Sequence, residues 1–408
     1  MNIESNKLDR RNFLKTVGAS GLGVVLAAGK LKADANEPNK PKKEKEEKFP
    51  QVPKRVLGKT GVEVPVLTLG FSSAEQPIVL KKALQWGVNC WDTSLVSAGG
   101  NSELGIGQFI TKNREVRKDL FIVTKESGSK TPADVEKCLK TSLERINTSH
   151  IDLYFGVYMM SDPAQLTDEL KVWVKSAKER KLIRYFGFST HSNMAKCLTA
   201  AAKCGWVDAI MTSYNFRLMQ DAEMQIAVEA CYKAGVGLIA MKTQGHKIET
   251  PEDKKLSEHF LQRGFTEGQA KIKAVLEDKR ISCACVSMGN VAVLTTNVAA
   301  VLDKTTLTQA DMQVFKEYAL ETCSGYCAGC ENICRSALPA GACISDVMRY
   351  LMYYNSYGER DTARQLFAQI PEDARNKLLT IDYSLAQSRC PQHLPIGKLV
   401  AEAVSKLA

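Results

Sequence analysis

Between residues 66 and 287 the chain repeats one alternation eight times, and that repetition limits its fold more than any other feature. Short apolar runs lie at 66–69, 88–92, 120–125, 151–155, 185–189, 209–213, 236–242 and 282–287. Amphipathic stretches separate them, such as 134–146 and 168–180, the latter drawing apolar surface from Leu170, Val172, Val174 and Ala177. Buried strands alternating with half-buried helices predict a parallel sheet of the α/β class. Eight such units predict closure into a (β/α)8 TIM barrel. A doubly wound open sheet is the competitor, but it has fewer strands, and no G-x-G-x-x-G follows an early run. Ahead of the first run, residues 55–64 read as a small hairpin, with Gly61 at a left-handed turn position. The full 408 residues suit a barrel of roughly 250 residues plus an appendage. We place the barrel at 54–305 and a mainly α-helical, cysteine-rich region at 306–408, with helices at 346–354 and 362–370.

The formal charge of +10 invites a nucleic-acid reading, which its distribution removes. Residues 1–60 hold 14 Lys/Arg against 7 Asp/Glu, and the remainder holds 41 against 38. The folded body is therefore close to neutral, and no basic groove is expected. No apolar run reaches about 18 residues, so no mature membrane span is expected either.

Residues 1–35 read as an export leader. Arg10 and Arg11 sit in Asp9-Arg10-Arg11-Asn12-Phe13-Leu14-Lys15, which resembles the twin-arginine consensus. A weakly apolar stretch follows at 17–29, and Ala33-Asp34-Ala35 offers a small-x-small cleavage site. A basic amphipathic helix is the competing reading. Residues 36–53 are rich in Lys, Glu and Pro and have little to bury, which predicts a solvated linker. The expected location is therefore outside the cytoplasm, in the periplasm, reached through the twin-arginine machinery.

In an eight-fold barrel, chemistry collects where strands end. Asp92, Thr93, Lys125, Glu126, Ser189, Thr190, His191, Tyr214, Asn215 and Lys242 all fall at such points. Singly, each reads as a cap or loop residue. Converging on one rim, they predict a ligand pocket.

Six of the thirteen cysteines lie beyond residue 320. Cys327, Cys330 and Cys334 form C-x2-C-x3-C, with Cys323 four residues upstream and Gly325 and Gly329 letting the loop wrap. Cys390-Pro391 resembles the Cys-Pro end of a ferredoxin motif, in which one ligand comes from a distance. We expect a 4Fe-4S cluster on Cys327, Cys330, Cys334 and Cys390, with Cys323 as the alternative fourth ligand. Zinc and disulfides are the competing readings, although zinc ribbons prefer two C-x2-C pairs and only Cys327/Cys330 forms one. The barrel cysteines Cys90, Cys138, Cys197, Cys204, Cys231, Cys283 and Cys285 read as small buried apolar groups.

Taken together, residues 54–305 resemble the aldo/keto reductase family. The resemblance runs through Leu57-Gly58-Lys59-Thr60-Gly61, Asp92-Thr93, Gly100-Asn101-Ser102-Glu103-Leu104-Gly105, Thr124-Lys125, Ile151-Asp152-Leu153-Tyr154, the segment 183–189 and Tyr214-Asn215. It implies carbonyl reduction by a nicotinamide nucleotide, NADP or NAD, on a small-molecule substrate. A tyrosine donates the proton in that family, assisted by a lysine, an aspartate and a histidine. An ammonium beside a phenol makes it a usable acid at neutral pH. Asp92 and Lys125 match. Ser97 occupies the tyrosine slot, and the histidine expected near Val157 is absent, which leaves Tyr158 as a candidate donor. By resemblance, Ser189 and Thr190 are the strand-end pair that holds the nicotinamide carboxamide, and Asn215 is a cofactor position in the matching Tyr-Asn motif. Met241 and Lys242 lie where an aromatic residue often stacks. Gly289, Asn290 and Asn297 match the last phosphate-binding loop and its helix N-terminus, without the basic residue that recognises a 2′-phosphate. Iron–sulfur members of the family with a cysteine-rich C-terminal region look similar. Two functional expectations follow: an exported NAD(P)-dependent oxidoreductase with altered or lost carbonyl chemistry, or a non-catalytic binding scaffold on a degenerate barrel.

Overall fold

The computed structural model describes residues 49–70, 76–245, 250–339 and 342–408. The leader and the linker up to residue 48 lie outside the described residues. Pro50–Ala408 forms one compact unit.

The expected hairpin is present as β1 (Lys54–Val56) and β2 (Glu63–Pro65), paired antiparallel with Arg55 opposite Val64. Gly61 has φ 70°, the left-handed turn that glycine adopts without a side-chain clash. Eight further strands follow: β3 (Leu67–Gly70), β4 (Cys90–Asp92), β5 (Phe121–Lys125), β6 (Ile151–Phe155), β7 (Ile183–Thr190), β8 (Ala209–Ser213), β9 (Gly237–Met241) and β10 (Cys283–Ser287). They close in chain order, with β10 beside β3, into a parallel barrel. The eight apolar runs thus become eight staves, and the open-sheet alternative is excluded.

Helices between strands turn their apolar stripes inward. In the helix Pro132–Ile146, Thr131 and Asp134 cap each other reciprocally, which satisfies backbone donors at the start. Thr167 caps the helix Asp168–Glu179 through the amide of Leu170. There Leu170, Val174 and Ala177 are buried. Val172, expected on the same stripe, is 69% exposed, because at two residues from both Leu170 and Val174 it falls on the opposite face of a 3.6-residue helix.

The hairpin stoppers the barrel. Leu57 and Val64 join Phe121, Leu153, Phe155 and Met211 in one interior cluster. Leu57 reaches in because Gly237 has no side chain, since a Cβ there would meet Leu57 at 2.6 Å. The motif around Gly100–Gly105 is also structural: buried Glu103 accepts from Thr124 at 2.7 Å and faces Arg145 at 3.4 Å. Buried Asp152 accepts from the amide of Ile122 and pairs with Arg117 and Arg184. Of the barrel cysteines, Cys90, Cys197, Cys231 and Cys283 are buried as expected, while Cys138, Cys204 and Cys285 are only half-buried.

Beyond the last barrel helix, Val291–Leu302, the chain is helical as expected. The helix Ile344–Ser356 contains the expected 346–354, and Arg360–Ala368 covers most of 362–370. These two and Ile396–Leu407 pack through Val347, Leu351, Phe367, Val400 and Leu407 into a second apolar core, which also takes in Cys390.

Candidate functional site

The ends of β4 and β5 place Asp92 and Lys125 side by side. Both are buried, and Lys125 Nζ donates to Asp92 Oδ1 and, at 2.8 Å, to the Thr93 carbonyl. Burial pushes the Asp92 carboxyl up, and the ammonium opposes that shift. On the other oxygen, Cys285 Sγ lies 3.6 Å from Asp92 Oδ2. The lysine–aspartate half of the expected machinery is therefore assembled.

The donor half is not assembled. Ser97 is buried and shares a hydrogen bond with Ser94 at 2.5 Å. The amide of Tyr158 donates to Glu126 Oε1 at 2.6 Å. Its phenol is pushed up to about 12 by burial, which the neighbouring Arg349 opposes. Tyr158 is thus a weaker acid than a free tyrosine.

Residues expected to hold the nicotinamide are already engaged within the protein. Ser189 Oγ accepts from the amide of Met159 at 3.1 Å, and Thr190 Oγ1 donates to the carbonyls of Met160 and Ser192. Asn215 donates to the Lys242 carbonyl and to the Tyr326 hydroxyl, both at 3.1 Å, and its Oδ1 accepts from the amides of Arg217 and Leu218. As arranged, Asn215 has no open valence for a carboxamide, and one would have to displace Tyr326. The nucleotide end fits better. Asn290 caps the helix Val291–Leu302, and Gly289 leaves open space above its Cα. Asn297 is buried, and its Nδ2 has no hydrogen-bond partner among the described residues, a donor suited to a nucleotide base or phosphate.

Met241 is half-buried at the end of β9, and Lys242 follows in the left-handed region at φ 54°. Ala98, Met159 and Asn193 share that conformation in the loops after β4, β6 and β7. Such backbone needs support from its surroundings, and here the tail supplies part of it. The carbonyl of Gly329 accepts from the Asn193 amide at 2.8 Å, and Asn193 Oδ1 accepts from the Asn332 amide at 2.9 Å. Ser192 and Ser345 hydroxyls meet at 2.6 Å. Lys242 Nζ donates to Tyr353 at 3.2 Å. Burial and then the Arg349 guanidinium pull the Lys242 pKa well down, and His191 is lowered by burial, Lys242 and Arg349.

Next to this mouth, Cys327, Cys330, Cys334 and Cys390 all line one largely apolar pocket that is open to solvent. Cys323 is not among its walls, so Cys390 is the better fourth candidate. Burial pushes Cys327 up to about 12 and Cys330 to about 11. Thiols raised by burial are poor nucleophiles at neutral pH. Among the described residues, no three His, Cys, Asp or Glu side chains converge as ligands of a single metal ion. A zinc site brings its sulfurs within about 2.3 Å of one point.

Sequence reasoning missed Tyr326 and Arg349. The first had a signal, its place beside Cys327. The second had none, being one basic residue within a helix.

A sequence profile described as the aldo/keto reductase family matches residues 67–286. An aldo-keto reductase of Gibberella moniliformis is 28% identical over 219 residues, which cover 50% of this chain and 64% of that protein. Aldo-keto reductase yakc [NADP(+)] of Schizosaccharomyces pombe is 28% identical over 194 residues, covering 44% of this chain and 56% of that protein. The chain thus spans less than two thirds of either relative's length. Among solved structures, a thermostable aldo-keto reductase in complex with epalrestat aligns with a TM-score of 0.55 at 24% identity, covering 65% of this chain and 100% of that one. That likeness is one of fold.

Proposed function

The chain belongs to the aldo/keto reductase family, and from that premise we propose that it is an exported, NAD(P)-dependent oxidoreductase with a 4Fe-4S cluster in its C-terminal region and an altered proton donor. The observation that carries this reading is the position of one loop. Tyr326 of that loop bonds Asn215 at the barrel mouth, and its neighbour Cys327 lines the cavity of four thiols. When bound, a nicotinamide nucleotide supplies a hydride and a cluster supplies single electrons.

The chain's own residues have separate tasks. Asp92 holds Lys125 in place. Lys125 spends two N–H groups on Asp92 and Thr93, and an ammonium has three. The third can stabilise negative charge developing on a substrate oxygen. Lys125 is the better placed acid, since Ser97 is tied to Ser94 and Tyr158 is buried as a phenol. Asn297 would hold the nucleotide. Cys327, Cys330, Cys334 and Cys390 would hold the cluster, and the Arg10-Arg11 leader would carry the folded protein across the membrane to the periplasm.

A second reading, a non-catalytic scaffold, draws support from Ser97, which stands in the expected tyrosine slot and is tied to Ser94. Anaerobic purification followed by iron, sulfide and nucleotide analysis separates the two, together with NADPH oxidation by a simple aldehyde. Iron and sulfide with aldehyde-dependent oxidation support the enzyme. An intact cluster with neither bound nucleotide nor oxidation supports the scaffold. Stoichiometric zinc without iron ends the cluster reading. Replacing Arg10 and Arg11 by Lys and fractionating cells tests export.

A further inference from the structure

Resting on that reading of the barrel mouth, we propose that the cleft between the mouth and the helix Ile344–Ser356 binds the carboxylate of a small organic acid, between Arg349 and Lys242. The cleft spans about 730 Å³ and opens to solvent. Its walls include His191, Ser213, Lys242, Tyr326, Cys327, Ser345 and Arg349, and no carboxylate lines it among the described residues. Asp346 takes one Arg349 nitrogen at 2.6 Å, and Glu359 attracts Lys242, but neither reaches the lining.

Arg349 carries the inference. It is only 8% exposed, and its Nε is buried without a hydrogen-bond partner among the described residues. A buried donor left unmet is costly, most of all on a charged group. Lys242 spends one N–H on Tyr353 and has two to offer. The Arg349 guanidinium disfavours charge on Lys242 across the cleft, and an anion between them reverses the sign of that interaction. The guanidinium fork matches the two oxygens of a carboxylate. The remaining walls, among them Met194, Met348, Leu351 and Leu394, suit a short apolar body attached to the charged end. The barrel residue comes from the loop after β9 and the arginine from the tail, so the site exists only where the two meet.

The test uses the full chain, purified with its prosthetic groups. Thermal stability is followed against pyruvate, its uncharged methyl ester and inorganic phosphate. Pyruvate should raise the melting temperature saturably and the ester should not. Arg349→Gln and Lys242→Gln should each weaken pyruvate binding at least tenfold. The proposal is overturned if the ester acts as well as pyruvate, if only phosphate acts, or if both variants bind pyruvate normally. It is also overturned if wild type ignores pyruvate while both variants lose visible absorption, since the cations then balance the thiolates. Charge-dependent pyruvate binding without NADPH oxidation keeps the carboxylate site and removes the reductase reading. NADPH oxidation with a neutral aldehyde but no pyruvate binding does the reverse.

Discussion

Asn215 donates to the hydroxyl of Tyr326 at 3.1 Å, so a barrel residue and the residue preceding Cys327 are fixed to one another. The ring of Tyr326 also lies 5.3 Å from the Arg217 guanidinium. We expect Tyr326→Phe to keep that packing and lose the bond. Stability should fall by about 1 kcal/mol, and Asn215 should become available, so that NADP(H) binds more tightly. Denaturant unfolding and nucleotide titration check the two halves. Unchanged nucleotide affinity would refute the competition.

Removing one partner of a buried ion pair strands the other. Asp92→Asn should destabilise the barrel by about 3–5 kcal/mol. The double variant with Lys125→Met should recover a good part of that loss. Urea unfolding of both singles and the double measures the coupling, and additive losses would show that the pair acts as two independent residues.

Acid sensitivity has one identifiable contributor. Two hydrogen bonds from Arg180, at 2.7 and 2.8 Å, and one from Trp173 lower Glu136 from the ordinary 4.5 to about 2, against burial. A depressed carboxylate stabilises fully above its unfolded pKa. That contribution should therefore be lost as pH falls from 4.5 toward 2. It is modest, because Arg180 is largely in solvent. Glu136→Gln should flatten the stability–pH curve in that window, with the modest loss of stability seen near neutrality and disappearing toward pH 2.

Gly329 joins the cysteine loop to the barrel. It has φ 74°, and a Cβ there would lie 2.2 Å from the His191 carbonyl. Gly329→Ala should cost more than about 1 kcal/mol and lower cluster content in purified protein. Normal iron content in a folded Gly329→Ala variant would contradict the tight docking.

The four nominated thiols are separable from their neighbour. Cys330→Ser should abolish the broad visible absorption of an iron–sulfur centre, while Cys323→Ser should retain it. The opposite pattern would reassign the fourth ligand.

The barrel was legible because each strand is a local run whose buried period shows in the sequence. The runs at 151–155 and 209–213 coincide with β6 and β8. Asp92 and Lys125 were legible for the same reason, since strand ends fix where their side chains point. Val172 was misplaced where five apolar residues crowd one short helix and only Leu170, Val174 and Ala177 are fully buried. What tertiary docking decides was hidden. Nothing local in Asn215 foretells that Tyr326, 111 residues on, satisfies it. Nor does an arginine in the helix Ile344–Ser356 announce that it faces Lys242.

Cys390 reaches the thiol pocket from the packed C-terminal core, whereas Cys327 and Cys330 lie in one loop and Cys334 in the short helix Glu331–Arg335 that follows it. The set of four thiols is therefore complete only when the C-terminal core is packed, which makes the pocket a report on the integrity of helices that contribute no sulfur to it.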